Sequence, residues 1–397
     1  MMGNSISTEE CKISYFEKIS SQAVIEDYLK KQGFNSQLIK EGLAPETKVS
    51  VVIPAYNETG VITRCLQALN KQSCSVFEVV VVDNGSTDET LKEVKNFREY
   101  ANYPLHIIEE PIAGVATARK RGMDEVLRRL LERNGEFRYA LAVTDADTIP
   151  PKEWIERIIG GFNSNEIGGL AGTHGASKEV EEKIYKATGI KNYFNVVPQL
   201  IEFIERRGVG RIKMSGPNSA FIATAYALGG GIKQEFDSDG KPKLREVNNL
   251  GNRIRKYGYK ILPMGSRVIK DRRRELFEII NNCDDSYFPE GFSANGRFNV
   301  IRGNEVELLD FACRNVSKEI WEYYRYKMIY KVLRNFVFQP LASGEITEGQ
   351  IQELFAAEEI SIFLSIHSSS YNFPNNQDAC KFFRNFLSHL EEVLQLQ

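Results

Sequence analysis

The sequence predicts an α/β protein: a mostly parallel sheet with helices on both faces, followed by a helical C-terminal extension. Three observations carry that prediction. Between residues 49 and about 173, short apolar runs alternate with amphipathic stretches, as in doubly wound sheets. Three of those runs end in clusters of polar residues, where open α/β sheets bind ligands. From about residue 300 to 397 the pattern is mostly helical, for example Ser317 to Asn335 and Glu348 to Leu364.

Taken in order, residues 1–47 read as an N-terminal helical segment. Ile19, Ala23, Tyr28 and Leu29 give it a loose apolar face, and Gly42 and Pro45 break it. Val49 to Ile53 is a strand, and Glu58 to Gln72 a helix. Phe77 to Val82 is the next strand. Ser86-Thr-Asp-Glu89 has the spacing of a capping box, with a helix to about Phe97. Leu105 to Ile108 is a third strand. Val115 to Leu131 is a helix with Val115, Ala118, Val126, Leu127, Leu130 and Leu131 on its apolar face. Tyr139 to Val143 is the fourth strand, and Pro151 at a first helical position opens the next helix. Residues 174–299 are mixed, with a Gly229-Gly-Gly231 turn, and residues 300–397 form the extension.

The bulk numbers exclude several classes. Of 397 residues, 42% are apolar and 26% charged, the balance of an ordinary globular chain with a sizeable core. The net charge of −2 gives no reason to expect nucleic acid. No apolar run approaches the roughly 20 residues that a membrane helix needs. The N-terminus lacks the basic start and apolar stretch of a signal peptide. The six cysteines form no CxxC pair, so neither a zinc ribbon nor a redox motif is expected. Asn57-Glu-Thr59 and Asn84-Gly-Ser86 are sequons on loops that would face a ligand. Glycans there would block it, so a cytoplasmic setting is expected.

The polar strand ends are Pro54-Ala-Tyr-Asn-Glu58, Asp83-Asn-Gly-Ser86 and Thr144-Asp-Ala-Asp147. Asp145 and Asp147, one residue apart, would repel each other unless an arginine, a helix N-terminus or a divalent metal lay close. VSVVIPAYNE, EVVVVDNGSTDET, GVATARKRG and VTDADTIP, in that order and spacing, resemble the N-terminal half of a family 2 glycosyltransferase with the GT-A fold. The resemblance covers roughly residues 48–265. Residues 48–173 would be its nucleotide-sugar-binding half and 174–299 its acceptor-binding half.

The resemblance implies metal-dependent transfer of a single sugar from a nucleotide diphosphate donor, most simply a UDP-sugar, to an acceptor hydroxyl, with inversion. It implies Mg²⁺ or Mn²⁺ at Asp147, with Asp145 as a ribose or second metal contact. Asp83 would accept the N3–H of uracil, Tyr56 would pack on the base, and Arg119 would lie near the diphosphate. Pro54 and Glu58 would line the same loop. The acceptor (a glycan, a lipid-linked or a small molecule) is not readable. The lack of both a Gln-x-x-Arg-Trp segment and membrane helices points away from processive synthases, and leaves room for peripheral membrane contact.

The acceptor half departs from the family. Its usual aspartate base falls at Val247, in Arg245-Glu-Val-Asn-Asn-Leu250-Gly-Asn-Arg253, and valine takes no proton. Glu246 is the nearest candidate base; Asp237 and Asp239 are others. The remaining alternatives are a retaining mechanism and a nucleotide-sugar-binding scaffold that has lost the base. Nucleotidyl transfer is disfavoured, because PAYNETG lacks the basic residues of such loops. Ser215-Gly-Pro-Asn218-Ser-Ala-Phe221 resembles the family's Gly-x-Asn-x-Ala-Phe segment, its glycine allowing close approach of a ligand or simply forming a turn. His174 is open between a contact and no role. Lys270 to Arg274 would clamp a phosphate or form a solvated helix start.

Overall fold

The computed structural model describes residues 21–34, 37–133, 138–208, 212–236, 242–243, 245–281, 293–295, 300–302, 304–347 and 349–350. Asp237, Asp239 and the expected Glu348 to Leu364 helix beyond residue 350 lie outside them. The chain divides into two compact units, residues 1–174 with 213–269, and residues 175–212 with 270–397.

The first unit is built on a mixed eight-stranded sheet, order β3-β2-β1-β4-β7-β6-β10-β5. Its strands are β1 (Val49–Ala55), β2 (Phe77–Asp83), β3 (Leu105–Glu109), β4 (Ala140–Val143), β5 (Thr148–Ile149), β6 (Ile167–Gly175), β7 (Ser219–Ile222) and β10 (Lys260–Lys270). A short ribbon, β8 (Glu235–Phe236) with β9 (Pro242–Lys243), stands apart. The α/β architecture expected from the sequence is present. β1, β2, β3 and β4 run parallel, with Ala55 opposite Asp83, Asp83 opposite Glu109, and Val52 opposite Val143. Their carboxyl ends therefore open on one side. β7 pairs antiparallel to both β4 and β6, which the apolar pattern alone did not reveal.

β1 and β2 are buried along nearly their whole length, as expected of strands covered on both faces. The helix Val115–Glu132 lies across them. Gly122 permits that, since a Cβ there would run into Val52 and Val82. Of the helical segment expected over residues 1–47, residues 1–20 lie outside the described ones; the first described helix is Ser21–Gln32, ended by Gly33 in the left-handed region. It buries Ile25, Tyr28 and Leu29. The Tyr28 hydroxyl donates to Asp124 at 2.8 Å and sits where a Cβ on Gly231 would be. Burial pushes the Asp124 carboxyl above its ordinary range, against the pull of Lys120.

Two local expectations change. The helix after β2 starts at Thr90 and runs to Arg98. Asp88 accepts the Thr90 N–H at 3.0 Å, whereas the Ser86 hydroxyl accepts the N–H of Asn57 at 3.1 Å. Ser86 thus ties two ligand loops together instead of capping a helix. The helix expected from Glu58 to Gln72 spans Ile62–Asn70, because residues 56–61 are spent on the loop.

In the second unit, the aromatic helix Lys318–Leu333 continues into a π-helical turn, Arg334–Phe338. Trp321 and Tyr324 join a core with Tyr193, Phe194, Leu276 and Leu308. Tyr193 packs edge-on against Trp321, with ring centroids 4.9 Å apart, and its hydroxyl donates to the Trp321 carbonyl. The basic run does not form a solvated helix start. Arg272 and Arg273 are buried. Arg272 pairs with Glu275 at 2.8 Å and lies over the Phe194 ring, and Arg273 bonds Asp271 at 2.9 Å.

Candidate active site

The loops after β1, β2 and β4 meet at the carboxyl end of the sheet. Asn57 is the pivot of the first. It is buried in the left-handed region (φ 54°), and its side-chain oxygen accepts the Thr87 N–H at 2.8 Å. This bond and the one from Asn57 N–H to Ser86 fasten residues 54–58 to residues 83–87. Pro54 and Tyr56 are half-buried in that loop. Glu58 is buried, and its backbone N–H donates to the Thr90 hydroxyl at 2.7 Å.

Asp83 ends β2 and is 6% exposed. One carboxylate oxygen accepts the Ser86 N–H at 3.3 Å; the other, Oδ1, is buried with no hydrogen-bond partner. An unsatisfied buried carboxylate oxygen is costly, and it is the kind of group a ligand N–H would satisfy. Next to it, Asn84 donates to the carbonyls of Glu110 (2.7 Å) and Ile112 (2.8 Å) and accepts the Gly114 N–H (2.7 Å). Asn84 thereby fixes the loop leading into the Val115–Glu132 helix. The sequence placed Asn57 and Asn84 on these loops without giving either a structural role, although asparagine between a strand and a glycine or glutamate is a recognisable loop signal.

That helix delivers Arg119, and the structure answers the problem of the paired aspartates in part. Arg119 is 4% exposed and forks between two carboxylates, one guanidinium nitrogen on Asp145 and another on Glu246. Burial works against its charge, yet the two carboxylates outweigh that and hold its pKa above the ordinary arginine value. Arg119 carries one positive charge against two negative ones. A diphosphate approaching this triad would meet net negative charge unless a further cation came with it.

Asp147 is buried at the start of β5 and accepts the Thr148 hydroxyl at 3.3 Å. Burial and then the nearby Asp147 and Asp145 carboxylates push the Cys65 thiol far up. No group of three or more His, Cys, Asp or Glu fit to hold a metal occurs among the described residues. Two oxygen donors without a full cage suit a hard divalent cation that takes its other ligands from phosphates and water.

Glu246 opens the helix Glu246–Arg255 and is buried, as is Val247 beside it. Arg253 on the same helix donates to the Gly229 carbonyl at 2.7 Å and to that of Gly231. The Ser215–Phe221 segment is structural in detail. Asn218 is fully buried, donates to the carbonyls of Thr173 (2.8 Å) and Ser266 (3.0 Å), and accepts the Trp154 indole N–H (2.8 Å). The Thr144 hydroxyl donates to the Pro217 carbonyl at 2.9 Å, joining that segment to the Asp145 loop. His174 is half-buried on β6.

Residues 50–228 match the family described as Glycosyl transferase family 2. The matched segment is a little under half of the chain. It is 35% identical over 127 residues to glycosyltransferase AglE of Haloferax volcanii, covering 30% of this chain and 38% of that protein. It is 40% identical over 75 residues to a PGL/p-HBAD biosynthesis glycosyltransferase of Mycobacterium tuberculosis, covering 19% of this chain and 29% of that protein. The matched segments thus span about a third of those relatives. A mannosyltransferase of Pyrobaculum calidifontis solved with GDP-Man and Mn²⁺ superposes with a TM-score of 0.41 at 15% identity, covering 98% of this chain and 99% of that one. S. aureus TarS with UDP-GlcNAc gives 0.40 at 15%, covering 80% and 79%. Both scores are too low to place any residue by analogy.

Proposed function

We propose that the protein transfers a single sugar from a nucleotide diphosphate donor, a UDP-sugar, to an acceptor hydroxyl, with inversion and with a divalent cation. The observation that carries this reading is the buried, unpartnered Oδ1 of Asp83 at the strand ends that also present Asp145 and Asp147, inside the segment that matches family 2. Asp83 accepts the N3–H of uracil; Tyr56, with Pro54 and Glu58, walls the base. Asp147 holds Mg²⁺ or Mn²⁺, with Asp145 beside it, and Arg119 orients Asp145 next to the diphosphate. The cation supplies charge neutralisation for the departing diphosphate. Glu246 is the base that takes the acceptor proton, and Arg119 fixes its carboxylate through the other arm of the guanidinium. The setting is cytoplasmic. No helix among the described residues is long and apolar enough to cross a membrane.

Val247 at the usual base position favours a second reading, a protein that binds nucleotide sugar without turnover. A thermal-shift titration with UDP-, GDP- and dTDP-sugars, with Mn²⁺, Mg²⁺ or chelator, tests the donor assignment. Metal-dependent stabilisation by the uridine compounds alone is expected; stabilisation by none of them overturns it.

A further inference from the structure

Gly216 has no role in the reading above, and its neighbours give it one. A Cβ on Gly216 would lie 2.7 Å from Cζ and 2.9 Å from Nη1 of Arg119, and closer still to Nη2. The backbone of residue 216 therefore packs directly against the guanidinium. Its φ is not in the left-handed region, so an L-residue is excluded by the arginine and not by the turn. The guanidinium cannot swing away cheaply. It is buried, and both of its terminal nitrogens are held by carboxylates. Pro217, the next residue, accepts the Thr144 hydroxyl, so the loop is itself fastened to the strand end that carries Asp145.

We propose that Gly216 is a positioning residue: it seats Arg119 so that one guanidinium holds the donor-side Asp145 and the acceptor-side Glu246 at a fixed separation. The roles of Asp145 and Glu246 rest on the function proposed above; the seat itself rests only on packing. Donor and acceptor halves thus share one cation, and 26 and 127 residues of sequence separate it from its two partners. A displaced guanidinium releases both carboxylates together. Misplacement of a positioning group by about 1 Å costs on the order of 10²-fold in rate.

The test is a double-mutant cycle with Gly216→Ala and Arg119→Lys. Lysine keeps the charge while vacating the space of the planar fork. Two readouts are taken on the full chain: the thermal midpoint without ligand, and turnover at saturating donor by nucleoside diphosphate release. Gly216→Ala is expected to lower both in the wild-type background, with turnover down about 10²-fold, and to change neither in the Arg119→Lys background. An equal loss of midpoint in both backgrounds, or no loss in either, overturns the seat. Loss of midpoint with turnover at saturating donor unchanged overturns the positioning role. A protein that binds donor but shows no turnover in any form with glycan, lipid-linked and small-molecule acceptors present refutes the proposed activity, and the ligand-free thermal cycle still decides the seat.

Discussion

Replacing Asp83 with asparagine isolates the base-reading contact. Its shape is kept, and the amide oxygen still accepts the Ser86 N–H that now bonds Oδ2 at 3.3 Å. The amide NH₂ is then forced to the position of Oδ1, the buried oxygen without a partner. In the proposed complex uracil brings its N3–H to that point, so an accepted, charge-assisted bond would become two donors facing each other. A hydrogen bond to a charged group is worth about 1.5–3 kcal/mol, which predicts Kd weaker by roughly 10- to 150-fold. Isothermal calorimetry with UDP at fixed Mn²⁺ measures it. CDP supplies the control, because cytosine N3 carries a lone pair and no hydrogen. CDP is expected to gain on the variant relative to UDP. Unchanged UDP affinity, or equal weakening of UDP and CDP, would refute the assignment of Asp83.

Other substitutions separate the remaining roles. Asp147→Asn is expected to abolish metal-dependent donor binding, seen in calorimetry as identical isotherms with Mn²⁺ and with chelator. Glu246→Gln is expected to cut turnover at least ~100-fold while donor binding survives, and full activity would remove it from the mechanism. Tyr28→Phe removes the bond to Asp124 inside the N-terminal helix contact and should cost roughly 1–3 kcal/mol in chemical denaturation. Burial, followed by the neighbouring Glu202, pushes Glu205 up to about 7. A carboxyl raised on folding adds stability at low pH and loses it as pH climbs from the ordinary glutamate range through about 7. Unfolding midpoints of Glu205→Gln should therefore fall less over that interval than those of the wild type.

The convergence of the polar strand ends was legible where the residues sit next to one another in sequence. Asp83, Asp145 and Asp147 follow short apolar strands, and parallel pairing of β1, β2 and β4 brings those ends to one side, as the strand-end rule requires. What could not be read is long-range pairing. Nothing local in GVATARKRG marks Arg119 as the partner of Glu246, since that contact spans 127 residues and depends on β7 running antiparallel beside β4. The four-residue strand Ser219–Ile222 is too short for its periodicity to specify a neighbour. Gly216 read as room for a ligand or as a plain turn, because a sequence shows that a side chain is missing and not what fills its place. Ser86 looked like a cap because the spacing fits, but its hydroxyl has a competing donor in Asn57.

The most direct test of metal-dependent sugar transfer is nucleoside diphosphate release. Purified protein is offered UDP-, GDP- and dTDP-sugars with Mn²⁺, Mg²⁺ or chelator, and the diphosphate released is quantified against Asp147→Asn. Slow, metal-dependent release of UDP from one sugar nucleotide, accelerated by an acceptor and lost in the variant, is the result predicted. Metal-dependent donor binding with no UDP release in the presence of any glycan, lipid-linked or small-molecule acceptor would contradict transfer and leave a nucleotide-sugar-binding protein in its place.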